Sequence, residues 1–190
     1  MKIIPLFPST LHAYDVKDFD KEELVDYIYG EYDSDPKGRV ISNRGGWQSS
    51  FDYTYGPNPI LDAIERTLRH EFFSITLKYG QEFHIEDLWI NILAEGGNHS
   101  AHLHPNSVIS GTIYISMPPE TSAIKFEDPR HPMMMAAPSR LVNAKEYLKP
   151  FIYINPLIGE ILLWESWLRH EVPMNMSSEE RISISFNYSW

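Results

Sequence analysis

The chain has 190 residues, a formal net charge of −10, 43% hydrophobic residues and no cysteine. This is long and apolar enough for one buried core and excludes a disordered chain. The missing cysteines exclude disulfides, thiolate metal sites and a cysteine nucleophile, and the acidity argues against nucleic acid as a partner.

Residues 1–19 read as an opening strand or extended arm. Pro5 and Pro8 stand where a secretion signal would have its apolar stretch, and no run is long enough to span a membrane, so the expected location is cytoplasmic. Asp20 followed by Glu23 is a capping-box pattern, and Leu24, Tyr27 and Ile28 give the apolar stripe of a short helix. The polar stretch from Tyr32 to Gly46 reads as loop. Asn58-Pro59 opens a second helix, carried by Leu61, Ile64, Leu68, Phe72, Ile75 and Tyr79 and stopped at Gly80.

From Ile85 the pattern changes to strands, expected at 86–93, 107–117, 123–127, 151–155, 159–165, 169–174 and 181–189. Turn signals separate them, among them Gly96-Gly97, Pro118-Pro119, Asp128-Pro129, Asn155-Pro156 and Ser177-Ser178. The segment 129–149, with Met133-Met134-Met135, reads as a long loop or lid. Helices followed by many short strands predict an α+β chain, mainly β. A helical buttress over about 20–80 would support an antiparallel sandwich or jelly roll over about 85–190, in one domain spanning 1–190.

The chemistry concentrates around His102-Leu103-His104. On extended backbone, residues i and i+2 share a face, so two imidazoles can aim at one point. The strand that follows puts Ser110, Thr112 and Tyr114 on one face and Ile109, Gly111, Ile113 and Ile115 on the other. A buried face of hydroxyl groups is expected to line a cavity. A third histidine, His170, is followed eleven residues later by Arg181, which opens an alternating strand containing Ser183. Two histidines on one strand, a distant third and an Arg-x-Ser just beyond it form one constellation, and the histidines read as a metal site. His99, at an odd offset from His102, is expected on the opposite strand face, outside the ligand set or facing substrate. Asn91 precedes the histidine pair and is expected to face the site. Trp89, Trp164 and Trp167 read as core or rim.

The segment from Gly96 to His104 resembles the start of the cupin signature, but the cupin glutamate is replaced by Ser107, Val108 and Ile109. The arrangement His102-x-His104, His170 and Arg181 more closely resembles the Fe(II)- and 2-oxoglutarate-dependent oxygenases. The chain is similar to a family of small oxygenases of that kind from bacterial and phage genomes. The motifs are Gly45-Gly46-Trp47-Gln48-Ser49, Trp89-Ile90-Asn91, His102-Leu103-His104-Pro105, Ser110-Gly111, Phe126-Glu127-Asp128-Pro129-Arg130, Trp167-Leu168-Arg169-His170 and Arg181-Ile182-Ser183-Ile184-Ser185-Phe186-Asn187.

The resemblance implies a double-stranded β-helix, the cupin-like jelly roll, and a 2-oxoglutarate-dependent non-haem iron dioxygenase. It implies Fe(II) on His102, His104 and His170. It also implies 2-oxoglutarate as cosubstrate, held by Arg181 with Ser183 and contacted by Tyr114, Thr112 and Asn91. In this family pattern a carboxylate usually takes the place of His104; Asp128 is the nearest carboxylate in a shared motif and is expected behind the ligands rather than among them. The expected reaction is a hydroxylation of a small-molecule or protein substrate. The alternatives are a cupin-like three-histidine metal protein acting without 2-oxoglutarate and a non-catalytic binding module. The edge strands of such a fold leave room for a homodimer.

Overall fold

The computed structural model describes residues 2, 4, 6–16, 20–50, 64 and 84–189. Helix α1 spans Lys21–Ser34. Asp20 caps it, its Oδ1 accepting from the backbone N–H groups of Glu22 at 3.0 Å and Glu23 at 3.1 Å. These bonds satisfy N–H groups that the first turn leaves unpaired, and the two glutamates suit the positive end of the helix dipole. Leu24 and Ile28 are buried. The helix runs beyond Tyr32, where loop was expected. The expected helix over 59–80 lies outside the described residues, apart from Ile64, which is helical and fully buried. No helix among the described residues is long and apolar enough to cross a membrane.

The strands are β1 Leu11–Asp15, β2 Asn43–Gln48, β3 His84–His102, β4 Ile109–Ser116, β5 Ile124–Glu127, β6 Phe151–Ile154, β7 Glu160–Glu165, β8 His170–Val172 and β9 Arg181–Ser189. All seven strands expected after residue 85 are present. Two expectations fail nearby. Strand β2 lies partly within the stretch read as loop, and β3 continues through Gly96-Gly97 instead of turning there.

Both failures have one cause. Strand β2 pairs with β3, from Asn43 opposite His99 to Gln48 opposite Asn91, with a register shift between Arg44 and Gly46. The two glycine pairs meet at this crossing. A Cβ on Gly97 would stand 2.6 Å from the carbonyl oxygen of Gly45 and 2.8 Å from Leu93 Cδ1. Gly96 has φ +76°, in the left-handed region that glycine occupies without steric cost. Here the glycines permit a close approach of backbones and a bulged strand rather than a hairpin.

The sheet runs β1-β7-β4-β9-β3-β8-β5-β6, with β2 added beside β3. All pairs are antiparallel. Strand β3 belongs to both halves. Its residues 84–93 pair with β9, whereas His99 and His102 pair with β8. The sheet therefore curls around β3, and its free edges, β1 and β6, lie at the opposite ends of the order. This is the mainly β, double-stranded β-helix architecture expected from the sequence.

The alternation of each strand sorts side chains between two faces. Ile182, Ile184, Phe186 and Tyr188 of β9 join Ile109, Ile113 and Ile115 of β4 and Leu88, Ile90 and Ile92 of β3 in the main core, which also takes in Leu24 and Ile28 of α1. The intervening residues point into the curl. There a smaller cluster of Tyr114, Ile124, Phe126, Leu162, Trp164 and Leu168 forms the apolar floor.

Candidate metal and cosubstrate site

The inner face of the sheet is a grid of polar side chains. Asn91, Ser183 and Tyr114 are register partners across β3, β9 and β4; Trp89, Ser185 and Thr112 form the next row; Asn187 and Ser110 pair in the row after that. Asn91, Ser110, Thr112, Ser183, Asn187 and Arg181 are all buried. Together with His99, His102, His104 and His170 they line one pocket. The sequence-predicted residues are thus brought together, and hydroxyl groups on β4 do line a cavity.

His102 ends β3 and is the register partner of His170 on β8. His104 follows two residues later. One ring nitrogen from each of the three lies within 4.8 Å of the others. His102 Nδ1 bonds the Ser100 carbonyl at 2.7 Å and His170 Nδ1 bonds the Leu168 carbonyl at 2.9 Å. A carbonyl only accepts, so each Nδ1 carries the proton and each Nε2 keeps its lone pair. Three converging imidazoles suit a first-row divalent ion such as Fe(II).

Arg181 opens β9 and is 2% exposed. Its Nη1 donates to Ser183 Oγ at 3.2 Å, and its guanidinium carbon sits 5.2 Å from the centre of the Tyr114 ring. The cation and the phenol lie close enough to perturb each other, yet at hydrogen-bond geometry Arg181 Nε and Tyr114 Oη have no partner. Asn91 Oδ1 and Trp164 Nε1 are also buried without partners. Orphaned buried polar groups cost about 1–3 kcal/mol each. A dianion between the histidines and Arg181 would satisfy the guanidinium, the phenol and the indole together, so the residues present fit 2-oxoglutarate as well as a metal.

Burial governs the histidines. It holds His104 down at about 4 and His99 at about 3, and it lowers His102 and His170 as well; the Arg181 guanidinium lowers His99 further, and the close spacing of the rings disfavours protonating any one beside another. These rings are neutral ligands or donors at neutral pH. In the metal-free protein their folded pKa values lie below the unfolded value near 6.5. As pH falls, the unfolded chain therefore takes up protons first. Stability is full above about 6.5 and is expected to drop between there and about 4, by up to about 1.4 kcal/mol per pH unit for each histidine. Melting of chelator-treated protein across this range measures the slope; a flat profile would contradict neutral burial of the cluster.

Several residues fall elsewhere than expected. His99, expected outside the ligand set or facing substrate, is outside the three-histidine cluster, but its expected strand face is not the one observed: the register shift between His99 and His102 turns it into the pocket, with Nδ1 3.3 Å from Ser42 Oγ. Trp89 and Trp164 line the pocket, while Trp167 is exposed. Asp128 points its carboxylate at Arg130, with contacts of 2.9 and 2.7 Å, and does not line the pocket. Met133 and Met135 are solvent-exposed rather than folded over the site. Ser185 and Asn187 were not singled out. The alternation from Arg181 through Ser183 places both on the same strand face, and that signal could have found them.

A curled antiparallel sheet with three histidines, a buried arginine and hydroxyl groups on its inner face defines a non-haem metal oxygenase scaffold. The model of the family described as Putative 2OG-Fe(II) oxygenase matches residues 87–187, just over half of the chain, and the protein belongs to that family. It is therefore a 2-oxoglutarate-dependent non-haem iron dioxygenase, with Fe(II) and 2-oxoglutarate as its cofactor and cosubstrate. Solved structures share the fold at low identity. Viral collagen prolyl hydroxylase from Paramecium Bursaria Chlorella virus-1, in a 2-oxoglutarate complex, has a TM-score of 0.62 at 15% identity, covering 94% of each chain. A prolyl-4-hydroxylase from Pseudomonas putida has 0.57 at 13%, covering 94% of this chain and 92% of its own. HygX from Streptomyces hygroscopicus, with nickel and 2-oxoglutarate bound, has 0.62 at 12%, covering 95% and 82%. No curated protein matches the chain.

Proposed function

We propose that the protein is a hydroxylase in which His102, His104 and His170 hold Fe(II) and Arg181 holds the 5-carboxylate of 2-oxoglutarate. The observation that carries this reading is Arg181. A fully buried guanidinium with a free Nε is costly unless an anion completes it. Ser183 and Tyr114 supply hydroxyl groups beside it, and Thr112 holds Ser185, which in turn bonds Asn91 at 3.2 Å. The amide of Asn91 then lies behind the cosubstrate with one end free to meet it. When bound, Fe(II) and 2-oxoglutarate supply the oxidation: substrate, O2 and 2-oxoglutarate give hydroxylated substrate, succinate and CO2. The chain's own part is to hold the cosubstrate, keep three neutral ring nitrogens converged and exclude bulk water. Three imidazoles add no charge, so a divalent ion and the cosubstrate dianion cancel.

The substrate reading rests on a second cavity of about 580 Å3, lined by Leu11, Phe126, Ile152, Ile154 and Leu168 together with Ile4 and residues 6–10. Phe126 pairs with His170 across β5 and β8, and the two rings are 6.1 Å apart. One wall residue of this cavity thus packs against a histidine of the site. On its rim Asp128 is paired with Arg130 and Glu127 with Arg169, and Glu146 and Lys149 add one charge of each sign. This favours an uncharged, largely apolar small molecule or peptide side chain. Several of the structural relatives carry prolyl hydroxylase in their descriptions, which is consistent with a peptide substrate.

The test is succinate release by Fe(II)-loaded protein presented with uncharged apolar small molecules and short peptides under 18O2. Hydroxylation predicts one 18O in the product for each succinate. Substrate oxidation without oxygen incorporation would sink the hydroxylase reading, and turnover only with charged compounds would sink the substrate reading.

A further inference from the structure

The three histidines are not held alike. His102 and His170 each use a backbone carbonyl two residues back to fix the proton on Nδ1. His104 has instead the side-chain amide of Asn187 beside its Nδ1, placed with the amide nitrogen 3.4 Å from the ring and the amide oxygen toward Ser110, and Asn187 is 3% exposed. The two ends of an amide have nearly the same shape and opposite hydrogen-bonding roles. With the amide nitrogen toward the ring, Nδ1 must accept. The ring proton then sits on Nε2 and removes the lone pair that should converge with those of His102 and His170. With the amide oxygen toward the ring, Nδ1–H donates to it and Nε2 stays free.

The surroundings allow the second arrangement at no cost. The far end of the amide meets Ser110 Oγ at 2.8 Å, and Ser110 Oγ meets Ser166 Oγ at 2.8 Å. Hydroxyl groups rotate to donate or accept, so this pair completes either amide orientation. His104 is the one member with a fixed demand. Ser166 also accepts from the backbone N–H of His104 at 3.0 Å through its carbonyl, so the same residue holds the main chain of His104 and ends the side-chain relay.

We infer that Asn187, backed by Ser110 and Ser166, is a positioning residue that accepts a hydrogen bond from His104 Nδ1–H, fixes the ring tautomer and makes His104 competent as the third metal ligand. Strand β9 would then carry both ends of the site on one face, with Arg181 toward the cosubstrate and Asn187 toward the metal ligand. The inference rests on the three-histidine reading above.

Two measurements test it, and neither depends on turnover. Long-range 1H–15N NMR of metal-free wild type, with His104 assigned through His104→Gln, should show the Nδ1–H tautomer; an Nε2–H tautomer overturns the inference. Zn(II) titration by calorimetry should find Asn187→Leu about 10–100-fold weaker than wild type. Asn187→Asp should bind at least as tightly as wild type, because a carboxylate can only accept and therefore enforces the same tautomer. Wild-type affinity in Asn187→Leu, or equal loss in both variants, overturns it. Failure of wild type itself to bind metal would instead overturn the three-histidine reading.

Discussion

Arg181→Ala is expected to weaken 2-oxoglutarate binding by roughly thirty- to several-thousand-fold, the equivalent of the ~2–5 kcal/mol lost when one partner of a buried charge pair is removed. Metal binding should be unaffected, because the side chain bonds Ser183 and lies over Tyr114 and has no hydrogen bond to His102, His104 or His170. The substitution should leave the metal-free protein as stable as wild type or more so. In the absence of an anion, Arg181 is a cation at 2% exposure, and no acidic side chain among the described residues pairs with it. Keeping such a charge buried costs several kcal/mol before any ligand arrives. Isothermal titration with 2-oxoglutarate, combined with melting curves of the free protein, separates these effects. A variant that binds the cosubstrate normally, or one that merely unfolds, would contradict an anion-holding role.

His170→Ala is expected to lower metal affinity well beyond the roughly 10–100-fold typical of a residue that only supports a ligand. His170 is central to the site. It is the register partner of both His102 and Phe126, packs 4.8 Å from the Trp164 ring and is 5% exposed. Its removal leaves two imidazoles, neither able to close the facial set alone. The same substitution should flatten the acid side of the stability profile by one histidine's share, because one buried neutral base no longer gains a proton on unfolding. Co(II) absorption titration reads the first effect and pH-dependent melting the second. Unchanged Co(II) binding would mean that His102 and His104 suffice with some other ligand.

Much of this site was legible because it is built on strands. Period-two alternation put Ser110, Thr112 and Tyr114 on one face of β4, and Arg181 with Ser183 on one face of β9, and these faces lie side by side on one wall of the pocket. The spacing of His102 and His104 works in the same way. What was not legible depends on contacts between distant segments. Asn43-Arg44-Gly45-Gly46 has no strand propensity of its own; it is extended because β3 is beside it. Gly96-Gly97 reads as a turn in isolation and becomes a bulge in a long strand once Gly45 packs against it. A second register shift, between His99 and His102 against β8, turns His99 into the pocket, which no fixed period could have indicated. Trp164 was read as core or rim. It is core on one side, and on the other it presents an unpaired indole N–H to the site, a distinction that requires knowing what lies across β7 and β8.

The central claim is that one pocket holds a three-histidine metal centre and a 2-oxoglutarate anchor at Arg181. Anaerobic titration of metal-free protein with Fe(II), then with 2-oxoglutarate, tests it most directly. Simultaneous chelation is expected to give a visible metal-to-ligand charge-transfer band, absent in His170→Ala at any cosubstrate level and absent in Arg181→Ala at levels that saturate wild type. Fe(II) binding with no band, and no heat on adding 2-oxoglutarate, would contradict the claim and leave a three-histidine site that works without that cosubstrate.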